Sequence, residues 1–390
     1  MMKLSNPIAL LLGAALLGSA PAMAGDTIKI GFIGPYSGIY ADLGGKMQEG
    51  VKLYVKLHGD RIAGKKIELL FRDDNNGSPE VAKRLTQELA TRDNVDILSG
   101  YVSTPSAMAS VSIATKAKKP MLIVQAATSG ITEKSPYAAR LSYTLGQVAA
   151  PLGSWAAKNG IKRVFTLVSD FGPGYSAQAV FTRTFTQAGG QIIGGVKVPL
   201  GSLEFGPFVQ RARDAKPDAI FAFVPAGQTA IALMKSVAER ELAKAGIRLI
   251  TTGDVVSEGG LDAIGNSAVG VISAFHYSTA HDSPANNAFI KAFTDAYGTK
   301  SRPDFMAMQG YDTMATIYTI GNQLKGDLSG DKFMAALKNF KMTSPRGPIE
   351  IDADTREVVQ NVYIRKVERR GDHLYNVEFA TIEAARDPGK

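Results

Sequence analysis

Two short apolar runs bracketing a helical stretch, all within residues 95–129, restrict this chain more than any other feature. The first run is Val95-Asp96-Ile97-Leu98-Ser99-Gly100 and the second Pro120-Met121-Leu122-Ile123-Val124-Gln125-Ala126. Between them, Pro105 to Lys118 puts Ala107, Met108, Val111 and Ala114 on one stripe. Strand, helix and strand in that order make a βαβ unit of a parallel sheet. Each strand runs into a small, hydroxyl-rich turn. After the first comes Tyr101-Val102-Ser103-Thr104-Pro105, with Thr104 placed to cap and Pro105 as first helical residue; after the second comes Ala126-Ala127-Thr128-Ser129-Gly130. Backbone N–H groups and hydroxyls at the carboxyl edge of a parallel sheet suit an anion, most simply a carboxylate. Two ordinary capped turns would look the same, so this unit alone does not decide.

The same alternation runs on both sides of it. Upstream, Thr27 to Gly34 reads as a strand and Ala41 to Leu57 as a helix with Leu43, Met47, Val51 and Tyr54 inward. The strand Ile67 to Asp74 follows, then a helix capped by Ser78 with Pro79 at its first position. Ala139 to Thr144 reads as a strand leaving this unit. From Gly146 the alternation restarts, with strands at 163–170, 191–199, 219–224, 248–253 and 270–277 separated by helical stretches. Helices near 284–297, 305–324 and 331–339 come next, and β-like runs near 349, 358–367 and 374–380 close the chain. Two successive β-α runs imply an α/β protein of two doubly wound lobes, each a parallel sheet covered by helices.

A length of 390 residues fits two cores rather than one. Met1 to Ala24 has the form of a secretory signal, with Lys3, the apolar core Ile8 to Leu17, and a cleavage site after Ala22-Met23-Ala24. Its removal lowers the formal charge from +8 to +7, dispersed without a long basic run, so nucleic acid is not an expected partner. The chain has no cysteine, which excludes disulfides and thiolate metal sites.

Five segments, taken together, carry a resemblance: GFIGPYSGIYADLGGKMQEGVKL, DDNNGSPEVAKRLTQEL, SGYVSTPSAMA, QAATSGIT and DFGPGYSAQ, followed by SPRGPIEID and QNVYIRKV near the end. In this order and spacing they resemble the leucine/isoleucine/valine-binding type of periplasmic solute-binding protein, which serves ABC importers. The resemblance spans essentially the whole mature chain. It implies two Rossmann-like lobes joined by three crossovers with a ligand cleft between them, residues 25–144 plus about 279–345 forming one lobe and 145–278 plus about 346–390 the other. It further implies a periplasmic monomer partnered by a membrane permease, with no cofactor. Ser103 and Thr104 match the loop that holds the ligand's carboxylate. Ala126 and Thr128 match the second loop, Phe171 the aromatic before a glycine, and Gln228 a turn of the second lobe. Asp254 lies near the acid that holds an α-ammonium, although TTGDVV departs from the family pattern, and the family's frequent first-lobe disulfide is missing. Tyr36 joins these as a cleft-loop candidate. The expected ligand is a small hydrophobic carboxylate, branched-chain amino acids leading and aromatic or other organic acids as the alternative.

Other classes fare worse. Gly172-Pro173-Gly174-Tyr175-Ser176-Ala177 is a G-x-G-x-x-A after a strand, yet no strand-end acid follows at dinucleotide spacing. There is no G-x-S-x-G nucleophile elbow. The four histidines are scattered, which argues against a metal site, and Asp73-Asp74 ends a strand ahead of a capped helix. A ligand sensor of the same fold is left open.

Overall fold

The computed structural model describes residues 27–389, so the expected signal segment, residues 1–24, lies outside the described residues. In the first lobe, β1 (Thr27–Gly34) leads into α1 (Ala41–His58), and a short hairpin pairs β2 (Arg61–Ile62) with β3 (Lys65–Asp73). Next come α2 (Pro79–Thr91), β4 (Ile97–Gly100), α3 (Thr104–Ala117), β5 (Met121–Ile123) and β6 (Ala138–Arg140). Six strands line up as β2-β3-β1-β4-β5-β6, all pairs parallel except the β2–β3 hairpin. The central strand β1 is mostly buried and β4, β5 and β6 are short and buried on both faces, as a helix-covered parallel sheet requires, whereas β3 nearer the edge is only partly covered.

The second lobe begins with α4 (Leu145–Lys158), started by a capping box in which Thr144 and Gln147 satisfy each other's backbone N–H groups. It continues through β7 (Arg163–Ser169), α5 (Gly172–Gln187), β8 (Gln191–Val198), α6 (Gly206–Asp214), β9 (Ala219–Phe223), α7 (Gln228–Glu239), β10 (Arg248–Thr252), α8 (Glu258–Ile264) and β11 (Ile272–Phe275). Strands β7 to β11 pair in parallel. The chain then returns to the first lobe as α9 (Pro284–Tyr297), α10 (Phe305–Gln323) and α11 (Gly330–Leu337). Close helix contact anchors this return. A Cβ on Gly50 of α1 would lie 1.9 Å from the Ala307 carbonyl oxygen of α10, and one on Gly310 would lie 2.3 Å from that of Met47. Only glycine lets the two backbones approach so far.

A last passage adds β12 (Lys341–Ser344), β13 (Gly347–Ile351), β14 (Val358–Arg370) and β15 (His373–Ala385) to the second sheet, where β14 runs antiparallel to β11. The chain thus passes between the sheets after β6, after β11 and after α11. Arg346, fully buried, ties the first of these passages to elements of both lobes. Its guanidinium donates to the carbonyls of Leu141 and Ser142 on the first passage and to Gln360 Oε1 on β14, and it lies 3.1 Å from Asp312 Oδ2 on α10.

Candidate functional site

The two sheets turn their carboxyl edges toward one cleft, which holds a cavity with about 100 Å³ of space for water centres. One wall is the turn after β4. Gly100 and Tyr101 both take positive φ, +97° and +60°, the second unusual for a bulky residue. Tyr101 is held there by full burial, an amide bond to the Ile33 carbonyl at 2.7 Å and a hydroxyl contact to Thr86 at 3.1 Å. The turn delivers Ser103 as N-cap of α3, its hydroxyl accepting from the Ser106 amide at 3.2 Å. That hydroxyl's one proton is already drawn to Ser106 Oγ and the Gly77 carbonyl. Thr104 is differently placed. Its hydroxyl meets that of Thr128, from the turn after β5, at 3.0 Å. Two hydroxyls in one hydrogen bond use one proton between them, so the other proton remains to donate outward.

Facing this pair from the second lobe is the start of α5. A Cβ on Gly172 would come within 3.8 Å of Thr128 Oγ1. Phe171, the N-cap of α5, offers no side-chain cap, and Pro173 has no N–H, so Gly172 and Gly174 are the amides that the start of α5 leaves uncapped. Two helix N-termini and a hydroxyl pair thus converge from opposite lobes, which favours an anion. The glycines of the G-x-G-x-x-A stretch have a packing explanation as well. A Cβ on Gly174 would sit 1.9 Å from the Ser169 carbonyl oxygen, so this turn closes tightly on β7.

The lobes touch at the rim, where a Cβ on Gly201 would lie 3.6 Å from Ile39 Cδ1 and one on Gly227 3.7 Å from the Ile39 carbonyl oxygen. Aromatic and aliphatic faces make up most of the cavity's interior, including Tyr40, Val102, Tyr143, Leu145, Phe171 and Phe223. Phe171 and Phe223 stack at 6.2 Å between centroids, and Tyr143 stacks on the buried His276 at 4.6 Å. Burial and the charges of Arg346 and Arg365 hold His276 well below the usual histidine range, so it is neutral.

Asp254 also lines the cavity, almost wholly buried. Tyr143 donates to its Oδ1 at 2.7 Å and Thr252 to its Oδ2 at 2.9 Å. Burial pushes its carboxyl up to about 6, against the pull of those two donors. Burial likewise raises Asp304 and Asp312 to about 6. All three folded values exceed the ordinary aspartate value of 3.8, so the native state takes up protons that the unfolded chain does not as pH falls from 7 toward 5. Their contribution is full below about 4 and is lost as pH rises through 6. His276 acts oppositely, because only the unfolded chain protonates it near 6.5, but it is one group against three. Melting temperature should therefore rise between pH 7 and pH 5. A scanning-fluorimetry profile that falls over that window contradicts these assignments.

Of the residues singled out in the sequence, Ser103, Thr104, Phe171 and Asp254 line the cavity, and Thr128 backs Thr104 through its hydroxyl. Ala126 is packed in the first-lobe core, its amide bonded to the Tyr101 carbonyl at 3.0 Å, and the next residue, Ala127, takes the wall position. Gln228 opens α7 exposed to solvent, while Pro225 and Ala226 of the same turn line the cavity. Tyr36 packs edge-on against Phe71 at 5.8 Å behind the wall, and Tyr40 takes the position facing the cavity. Sequence reasoning passed over Gln125 and Tyr143, both on the wall. Gln125 had one signal, a polar side chain at the end of an otherwise apolar strand.

A cleft between two doubly wound lobes, polar at helix starts and at Gln125 and Asp254 and largely apolar elsewhere, suits a binding protein that encloses a small ligand. The chain belongs to the periplasmic binding protein family, whose model matches residues 27–372. It is 37% identical over 372 residues, 95% of each chain, to a "Leu/Ile/Val-binding protein homolog 6" of Brucella melitensis. Two solved structures are similar at a TM-score of 0.90, each covering 93% of this chain and 99% of the other. One is a solute-binding protein of an ABC transporter from Rhodopseudomonas palustris BisB5, 48% identical, in complex with 3,4-dihydroxybenzoic acid. The other, from R. palustris and 39% identical, is in complex with 4-hydroxybenzoate. The protein is thus an extracytoplasmic, non-catalytic solute-binding component of an ABC importer, taking a small organic ligand to a membrane permease.

Proposed function

We propose that this protein captures small aromatic monocarboxylates for its importer, the carboxylate resting on Thr104, Thr128 and the starts of α3 and α5. The observation that carries this reading is the state of Asp254. Both of its oxygens already accept from protein hydroxyls, so its charge does not depend on a ligand ammonium. The flat ring faces of Phe171, Phe223 and Tyr143 suit an aromatic body, and the two solved relatives in complex with hydroxybenzoates support the same class. Branched-chain amino acids, the leading expectation from the sequence, thereby give way to its alternative.

Because the anion site draws one helix start from each lobe, binding should pull the lobes together. Small-angle scattering of ligand-stripped protein should show the radius of gyration shrinking on addition of 4-hydroxybenzoate. Leucine should leave it unchanged. Shrinkage with leucine and none with the aromatic acid would reverse the assignment.

A further inference from the structure

We infer that the cavity selects aromatic acids bearing ring hydroxyls, and that Gln125 and Asp254 accept a hydrogen bond from two adjacent ones. The inference rests on the aromatic-acid reading above and narrows it.

Tyr143 has a single hydroxyl hydrogen, and Asp254 Oδ1 at 2.7 Å receives it. The Gln125 side chain also reaches that hydroxyl, at 3.3 Å, and can only be donating to it, so its amide nitrogen faces Tyr143. The amide oxygen is thereby turned away. It is buried, with no partner among the described residues, in a side chain that is 8% exposed and lines the cavity. A buried carbonyl left unpaired is unfavourable and calls for a donor. Asp254 has spare capacity too: its two oxygens can accept four hydrogen bonds, and Tyr143, Thr252 and its own backbone amide supply three.

Gln125, through its Nε2, and Asp254, through its Oδ1, both bond the same Tyr143 oxygen, so the two side chains sit side by side on one stretch of wall. That wall presents acceptors and needs donors. An unsubstituted ring supplies none, and ring ethers would add acceptors to acceptors. A ring hydroxyl donates while staying neutral at pH 7, so it pairs with Asp254 without adding a second negative charge. Two neighbouring hydroxyls would serve both acceptors at once.

The test is a calorimetric series on ligand-stripped wild type with benzoate, 4-hydroxybenzoate, 3,4-dihydroxybenzoate and 3,4-dimethoxybenzoate. Affinity should rise from benzoate to the monohydroxy acid and again to the dihydroxy acid, spanning roughly 10-fold or more as expected for buried polar groups that gain partners. The dimethoxy acid should bind more weakly than benzoate. Gln125→Leu should narrow the gap between the dihydroxy and monohydroxy acids, and Asp254→Asn should narrow the gap between the monohydroxy acid and benzoate. Benzoate binding within about threefold of the dihydroxy acid in wild type would overturn the inference while leaving the aromatic-acid reading standing, a difference of roughly 0.7 kcal/mol being too small for a paired buried acceptor. Absence of binding by all four acids would remove both. The wild-type series stands without the variants, so a variant that fails to fold does not rescue the inference.

Discussion

Replacing Arg346 with methionine should destabilise the protein by roughly 3–5 kcal/mol, because it leaves Asp312 buried without its cation. The pair lies 3.1 Å apart with both side chains at most 1% exposed, and the same guanidinium holds two carbonyls of the first passage between the lobes and Gln360 on β14. The loss is therefore one ion pair plus the clasp that ties the first passage to β14 and α10. Burial already raises Asp312 to about 6, and removal of the neighbouring positive charge raises it further. The variant's deficit should accordingly be smaller at pH 5, where Asp312 is neutral, than at pH 7.5. Urea unfolding followed through Trp155, the chain's one tryptophan, reads both effects. A second change, Asp312→Leu in the Arg346→Met background, should recover part of the loss. An Arg346→Met midpoint equal to wild type at both pH values would show that the clasp contributes nothing.

Removing both hydroxyls of the anion site, Thr104→Ala with Thr128→Ala, should weaken aromatic-acid binding by roughly 100-fold. A hydrogen bond to a charged group is worth about 1.5–3 kcal/mol, and the 3.0 Å contact between the two hydroxyls means that losing either also frees the proton arrangement of the other. The pair therefore acts as a unit, and either single change should give most of the effect. Ser103→Ala is the contrast. Its hydroxyl caps α3 and is bonded to Ser106 and Gly77, so the variant should lose about 1 kcal/mol of stability with affinity nearly unchanged. If Ser103→Ala abolished binding and the threonine pair did not matter, the carboxylate would have to sit elsewhere in the cavity.

These contrasts mark where the sequence is legible. The alternation of apolar strand runs with helical stripes is a local property, and it yields two doubly wound lobes with most element bounds close to those observed. The hairpin at Arg61–Ile62, helix α8 and strand β12 escape it because they are too short to show a period; Lys341-Met342-Thr343-Ser344 has one apolar residue in four. Turn chemistry is local too, so the hydroxyl-rich turns holding Ser103, Thr104 and Thr128 stand out by themselves, whereas Phe171 is pointed to only by the family resemblance. Direction within a turn is not. Gln228 lies in a cleft-edge turn, but Ala226 takes the wall position; Tyr36 and Tyr40 both stand out in the sequence as cleft-loop aromatics, and of the two Tyr40 faces the cavity. Contacts across the chain are least legible of all. Tyr143 and Asp254 are 111 positions apart, and nothing near either announces the 2.7 Å bond between them. That bond is what turns the proposed ligand from an amino acid to an aromatic acid. Read alone, Asp254 looks like the partner of an ammonium; seated between Tyr143 and Thr252, it is already supplied with donors.

The central claim is that this importer component takes aromatic acids rather than amino acids. Protein unfolded to release any carried ligand, then refolded, should be titrated at pH 7 with 4-hydroxybenzoate and separately with leucine. The account predicts saturable one-to-one binding of the aromatic acid with a dissociation constant of about micromolar or tighter, near −8 kcal/mol, and no heat from leucine. Saturable binding of leucine with none of the aromatic acid would contradict it.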